Sequence, residues 1–208
     1  MKVRAIMTPL SALTPLTRHQ KAQEAFDTIE ANGFLSLPVL DGQKFVGYLS
    51  KQYLYDAFHK SGQADFSLFL DQPVSNFIHE TLEPVTADQL IEEAAEIFFK
   101  YKQRFVPVVD ANGIFEGIVT QNALFGILTK IYGLKYSKVV ILTDNFKGTL
   151  GRIAEIISKY DGNIMNVVAL DTEVLGIQEI SIRFDAPDVL KIVNKLQEKG
   201  FEVRDYYL

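Results

Sequence analysis

The chain has 208 residues, 48% of them hydrophobic and 23% charged, a balance that excludes an intrinsically disordered chain and suffices for one or two domains with their own cores. Its 21 basic and 26 acidic residues leave a net charge of −5, shared as −3 and −2 on either side of Tyr136, so neither part is the basic block that non-specific nucleic-acid binding requires. Cysteine is absent, which removes disulfides, thiolate zinc sites and cysteine nucleophiles and fits a reducing, cytoplasmic setting.

The first elements in chain order set the pattern for the next hundred residues. Thr8 and Pro9 interrupt the amino terminus before any apolar run reaches signal-peptide length, and no later run nears the roughly 20 apolar residues that cross a bilayer, so neither export nor a membrane span is expected. Thr17 to Asp41 then overlays Thr86 to Asp110 without a gap, 69 residues apart. Both segments open on a Thr-x-x-Gln capping box, at Thr17 and Gln20 and again at Thr86 and Gln89. Apolar residues follow at i, i+3, i+4 and i+7, on Ala22, Ala25, Phe26 and Ile29 and on Ile91, Ala94, Ala95 and Phe98, which predicts two helices of equal phase.

Each helix leads into a short apolar strand carrying one proline, Leu35 to Leu40 with Pro38 and Phe105 to Val109 with Pro107. Turns at Asp41-Gly42 and Asn112-Gly113 then connect to second strands, Phe45 to Leu49 and Ile114 to Val119, so each copy contains a hairpin. Proline lacks the ladder donor and belongs on an open side of a sheet. The hairpins end in Gly47-Tyr48-Leu49-Ser50 and Gly117-Ile118-Val119-Thr120, with helices following from Tyr53 and Ala123, so Ser50 and Thr120 fall at N-cap positions. The aromatic residues Phe58, Phe66, Phe69 and Phe77 between the copies are expected to fill the seam between the copies or between two chains.

This doubled pattern resembles a tandem pair of CBS domains over residues 1 to 130, with repeats at about 1 to 60 and 72 to 130. The resemblance implies an α+β fold of two β-α-β-β-α repeats, packed about a pseudo-twofold axis, whose clefts accept adenine-containing ligands such as AMP, ATP or S-adenosylmethionine. A hydroxyl at a helix start, beside backbone N–H groups without helical partners, attracts an anion. Gly47, Ser50, Lys51, Arg104, Gly117, Thr120, Gln121 and Asn122 are therefore the nucleotide candidates, while a plain capping role for Ser50 and Thr120 stands beside that reading. Nucleotide-binding members carry an aspartate three residues after the Ser or Thr, where it grips the ribose hydroxyls. Tyr53 and Ala123 occupy those positions here; Tyr53 can stack on a base or plug the cleft.

From Ser137 the rhythm changes. A buried strand at Val139 to Leu142 precedes a loop and a helix on Leu150, Ile153, Ile156, Ile157 and Tyr160. A strand from Ile164 to Leu170 and an alternating strand on Ile180, Ile182 and Phe184 come next, then a helix on Val189, Ile192, Val193 and Leu196, and a last strand from Phe201. This is the βαββαβ order of the ferredoxin-like plan. The stretch Asp144 to Ile153, followed by Gly162-Asn163-Ile164, resembles an ACT domain over residues 137 to 208, although Lys147 stands where that family places proline before the glycine. The resemblance implies a small amino acid held by Asp144, Asn145, Lys147, Gly148, Thr149, Leu150 and Asn163, or side-by-side dimerisation without a ligand.

No P-loop, dinucleotide fingerprint or nucleophile elbow is present, the three histidines lack metal-site spacing, and Glu92, Glu93 and Glu96 read as a solvated helix face. The order of modules resembles the acetoin-utilisation accessory proteins of bacteria. The expectation is a non-catalytic, cytoplasmic, homodimeric sensor that needs no cofactor or metal and couples a nucleotide in the CBS cleft to an amino acid at the ACT loop. The alternative is a dimeric scaffold with vestigial pockets, docking on a partner enzyme or transporter.

Overall fold

Two copies of one pattern build the amino-terminal part of the chain. The computed structural model describes residues 1–79, 82–144, 147–173 and 176–208, which divide into two units, Met1–Phe125 and Gly126–Leu208. In the first unit, β1 (Thr8–Pro9) precedes the first copy: β2 (Leu16–Thr17), α1 (Ala22–Asn32), β3 (Ser36–Asp41), β4 (Lys44–Ser50) and α2 (Lys51–Ser61). A one-turn helix, α3 (Phe66–Phe69), leads to the second copy: α4 (Ile91–Tyr101), β5 (Phe105–Val109), β6 (Phe115–Thr120) and α5 (Gln121–Ile131), within which the division between units falls. Ala22, Ala25 and Ile29 of α1 and Ile91, Ala94 and Phe98 of α4 are buried, as the helical spacing requires. Both helices close on a left-handed residue, Gly33 at φ 64° and Lys102 at φ 52°.

The helices start later than the Thr-x-x-Gln boxes predict. Gln20 and Gln89 do accept the N–H of Thr17 and Thr86, at 2.7 and 2.6 Å, but in turns ahead of Ala22 and Ile91. The unpaired donors at the helix starts go to distant backbone instead: Ala22 and Gln23 donate to the carbonyls of Gln72 and Leu70, and Ile91 donates to that of Met1. The pairing continues in the same symmetric way. Val3 and Arg4 donate to Gln89 and Ala87, while Val74 and Ser75 donate to Gln20 and Arg18. The amino-terminal segment thus clips the second copy, the segment between copies clips the first, and Val3 and Val74 are both completely buried.

The same exchange completes the sheets. β2, β3 and β4 form one and β5, β6 and β1 the other, with antiparallel hairpins β3–β4 and β5–β6. Thr8 pairs with Ile118, and His79 pairs with Tyr48. These crossing backbones explain two glycines. A Cβ on Gly47 would sit 2.6 Å from the His79 carbonyl oxygen, and one on Gly117 would sit 2.2 Å from that of Thr8.

Phe58, Phe66, Phe69 and Phe77 do not fill the seam between copies. Their rings pack on one another at 5.0 to 5.4 Å and belong to the core of the first copy, with Ala25, Ile29 and Leu54. The carbonyls of Leu70 and Gln72, bound at the start of α1, hold this connecting segment against that copy. The seam is built from Leu40, Tyr48, Phe105, Phe115 and Ile118, with Phe45 stacked on Phe115 at 5.6 Å.

The second unit contains β7 (Ser137–Thr143), α6 (Thr149–Lys159), β8 (Asn163–Asp171), β9 (Gln178–Asp185), α7 (Val189–Glu198) and β10 (Glu202–Tyr207). Its sheet runs β10-β7-β9-β8 with every neighbouring pair antiparallel, the strand order of the predicted βαββαβ plan. Alternation in β9 buries Ile180, Ile182 and Phe184, which join Val139, Ile141, Ile153, Ile157, Ile192, Val193 and Leu196 in one core. Asp188 caps α7 by accepting the Lys191 N–H at 3.0 Å. No helix among the described residues is long and apolar enough to cross a membrane.

Candidate functional site

The two strand-to-helix corners place Ser50 and Thr120 at equivalent points. Both act as caps: Ser50 Oγ accepts the Tyr53 N–H at 3.3 Å and Thr120 Oγ1 accepts the Ala123 N–H at 3.1 Å, with α2 and α5 starting at Lys51 and Gln121, two residues earlier than predicted. Beside Thr120 lies an open crevice of about 430 Å³. One wall is Thr120, Gln121 and Asn122 with Arg104; the facing wall is the run from Gly33 to Pro38, with Thr8, Leu13 and Thr14 completing it. Thus Arg104, Thr120, Gln121 and Asn122 come together; Pro38, expected on an open side, lines this crevice but is itself buried on β3, the middle strand of its sheet, where the two-residue β2 pairs only beyond it at Val39 and Leu40.

The equivalent crevice beside Ser50 is filled. The Tyr53 ring stacks on His79 at 4.8 Å and 12°, its hydroxyl lies 2.7 Å from that of Tyr48, and Tyr48 meets Phe105 edge-on at 5.8 Å. Burial, and after it the hydrogen bond to Tyr53, raises the Tyr48 phenol above the ordinary tyrosine range. Residue size explains the asymmetry. Tyr48, Tyr53 and His79 correspond in the other copy to Ile118, Ala123 and Thr8, so three rings stand where three smaller side chains leave room, while Phe105 also lines the open crevice. Ser50 is wholly buried and Lys51 is paired with Glu30, so neither lines the open crevice. Gly47 and Gly117 serve the crossing strands. Arg104 also reaches toward the first copy, donating from Nη2 to Gln52 Oε1 at 2.9 Å.

In the second unit, Asp144 and Thr149 line a cavity of about 420 Å³ with Thr143, Arg152, Lys199 and Glu202. Arg152 Nη2 donates to the buried Thr149 Oγ1 at 3.3 Å, and its guanidinium lies over the Phe201 ring at 5.3 Å. Gly148 holds φ at 77°, and open space surrounds the position of a Cβ, so its backbone conformation rather than a close approach explains glycine there. Lys147 is exposed, Leu150 packs against the core, and Asn145 lies outside the described residues. Asn163 is not brought to this loop. β7 and β8 run in the same direction, so the end of β7 and the start of β8 lie at opposite ends of the sheet: Asn163 pairs with Asp185, whereas Thr143, next to Asp144, pairs with Gln178. Arg152, one turn after Gly148, was within reach of helical spacing; Lys199 reaches the cavity through the pairing of β10 with β7, which local patterns do not reveal. No cluster of metal-ligating side chains occurs among the described residues.

A doubled strand-helix-hairpin-helix unit with two crevices across a shared seam defines a tandem module, and comparison with known proteins identifies it. The family model described as CBS domain matches residues 3–60 and 74–130. That is more than half of the chain, which therefore belongs to the CBS-domain family. The structure of CBSX2 in complex with AMP is 25% identical with a TM-score of 0.55, covering 62% of this chain and 97% of that one. The structure of a protein titled as an acetoin utilization protein (AcuB) from Vibrio cholerae shares the fold at 24% identity and a TM-score of 0.55, covering 65% of this chain and 95% of that one. A-adding tRNA nucleotidyltransferase from Aquifex aeolicus is 30% identical over 125 residues, which are 58% of this chain but 14% of that protein. The chain thus spans about a seventh of the length of this curated relative.

Proposed function

We propose that this chain is a non-catalytic, cytoplasmic ligand-sensing regulator whose CBS pair binds an adenine nucleotide, AMP, ATP or S-adenosylmethionine, in the open crevice beside Thr120. The observation that carries this reading is the crevice itself. Among its described lining residues the one charged side chain is the cation Arg104, it adjoins the amino-terminal end of α5, and Leu13, Leu37 and Pro38 offer an apolar surface for a base. The AMP complex of CBSX2 supports the ligand class.

Residues 137 to 208 act in this reading as an ACT domain, as in the acetoin-utilisation accessory proteins, with Asp144, Asn145, Lys147, Gly148, Thr149, Leu150 and Asn163 as the amino-acid site. The opposite placement of Asn163 and the loop agrees with a homodimer. β8 is a nine-residue edge strand without proline, lysine or arginine, and such an edge invites pairing. Antiparallel pairing of two β8 edges across a twofold axis brings Asn163 of one chain toward the Asp144 loop end of the other. The nucleotide and the amino acid would each favour one arrangement of that dimer. The ring-filled crevice supports a second reading, a scaffold docking on a partner enzyme or transporter, in which the remaining crevice is vestigial.

Thermal unfolding with AMP separates the two. A ligand at 100 times its Kd adds about 2.7 kcal/mol, so AMP is expected to raise the melting temperature of the native chain clearly and that of Arg104→Gln much less. No response to AMP, ATP or S-adenosylmethionine overturns the sensor in favour of the scaffold. For the dimer, sedimentation equilibrium is expected to give twice the chain mass of 23.5 kDa. A single species of one chain mass at micromolar concentration removes the pairing of β8 edges.

A further inference from the structure

The described lining of the open crevice contains no charged acceptor. Among its described lining residues, Arg104 brings a positive charge, Thr8, Thr14, Ser36 and Thr120 bring hydroxyls, Gln121 and Asn122 bring amides, and none brings a carboxylate. A ribose diol presents two adjacent donors, and the side chain that singles it out in a nucleotide site is a carboxylate, whose two oxygens accept and cannot donate. Hydroxyls and amides both donate and accept. They satisfy a free ribose hydroxyl, an ester oxygen or a water in its place with little difference. Ala123, whose N–H is held by Thr120 Oγ1 at 3.1 Å, adds only a methyl group beside the corner.

Resting on the nucleotide reading above, we infer that this crevice recognises base and phosphate and is indifferent to the ribose hydroxyls. Its ligand class then extends to nucleotides that lack the 2′ oxygen, the 2′-deoxynucleotides. The guanidinium of Arg104 and the backbone donors at the start of α5 select the phosphate, and the apolar wall of Leu13, Leu37 and Pro38 takes the base.

Isothermal titration of the full chain with AMP, 2′-deoxy-AMP and adenosine tests this. AMP and 2′-deoxy-AMP are expected to bind within about twofold of each other and adenosine at least about tenfold more weakly, the size of one charge-assisted contact. Ala123→Asp, which places a carboxylate in the first turn of α5, is expected to create a preference for AMP over 2′-deoxy-AMP of about tenfold. The native chain decides the matter even if that variant does not fold. A native preference for AMP of tenfold or more overturns ribose indifference while leaving the nucleotide site standing. Absence of binding by either nucleotide overturns the nucleotide site and this inference with it.

Discussion

Val3→Asp is expected to destabilise the first unit by about 3 to 5 kcal/mol, the cost of a buried unpaired charge. Val3 is completely buried. Its N–H donates to Gln89 and its carbonyl accepts from Ile6 and Met7, so the backbone has no easy route by which to withdraw the new carboxylate into water. Val3→Ala removes two methyl groups and is expected to cost less, about 1 to 3 kcal/mol. By contrast the ion pairs of Lys2 and Arg4 with Asp88 are more than half exposed, so Lys2→Ala is expected to change stability far less than either Val3 variant. Urea unfolding checks the series, and a Val3→Asp loss below 1 kcal/mol would mean that the amino-terminal segment is not part of the second copy's fold. Val74→Asp probes the same place in the first copy and is expected to behave alike.

That clip was not legible in the sequence, and the reason is physical. Stripes such as Ala22, Ala25 and Ile29, or the alternation Ile180, Ile182 and Phe184, record a periodicity set by the local backbone and survive in one dimension. The exchange of residues 2–4 and 73–75 is made by backbone hydrogen bonds spanning some eighty and some fifty residues, and any residue that buries well and has an N–H can serve. The glycines carried part of the signal. Gly47 and Gly117 stand out as doubled, yet their cause is the crossing of His79 and Thr8, which the sequence does not announce. The crevices were half legible: Tyr53 against Ala123 is visible in the overlay of copies, but His79 against Thr8 becomes a comparison only once both are seen pairing on equivalent strands. For the four clustered phenylalanines, composition tells that rings will be buried, not which copy buries them. The separation of Asn163 from the Asp144 loop follows from two parallel strands joined by a helix, and the strand directions in the sequence already contained it.

Phe184→Ala is expected to cost the second unit about 3 to 5 kcal/mol while leaving AMP affinity within about twofold. Phe184 lies on β9 between β7 and β8 and is wholly buried with Val139, Ile153, Ile157 and Leu196. That cluster and its packed neighbours run from Val139 to Val203, so the lost ring leaves a cavity in the core of the carboxy-terminal unit. Calorimetry of the variant is therefore expected to show two transitions, the earlier one belonging to the carboxy-terminal unit and the later one still raised by AMP. The amplitude of the AMP response then measures coupling directly. If Phe184→Ala weakens AMP binding tenfold, the second unit contributes to the crevice's binding free energy, and independent cores would be the wrong description. If AMP raises only the later transition, the CBS pair binds nucleotide without a folded second unit, and any coupling to an amino acid requires that unit, and with it the β8 edge, to be folded.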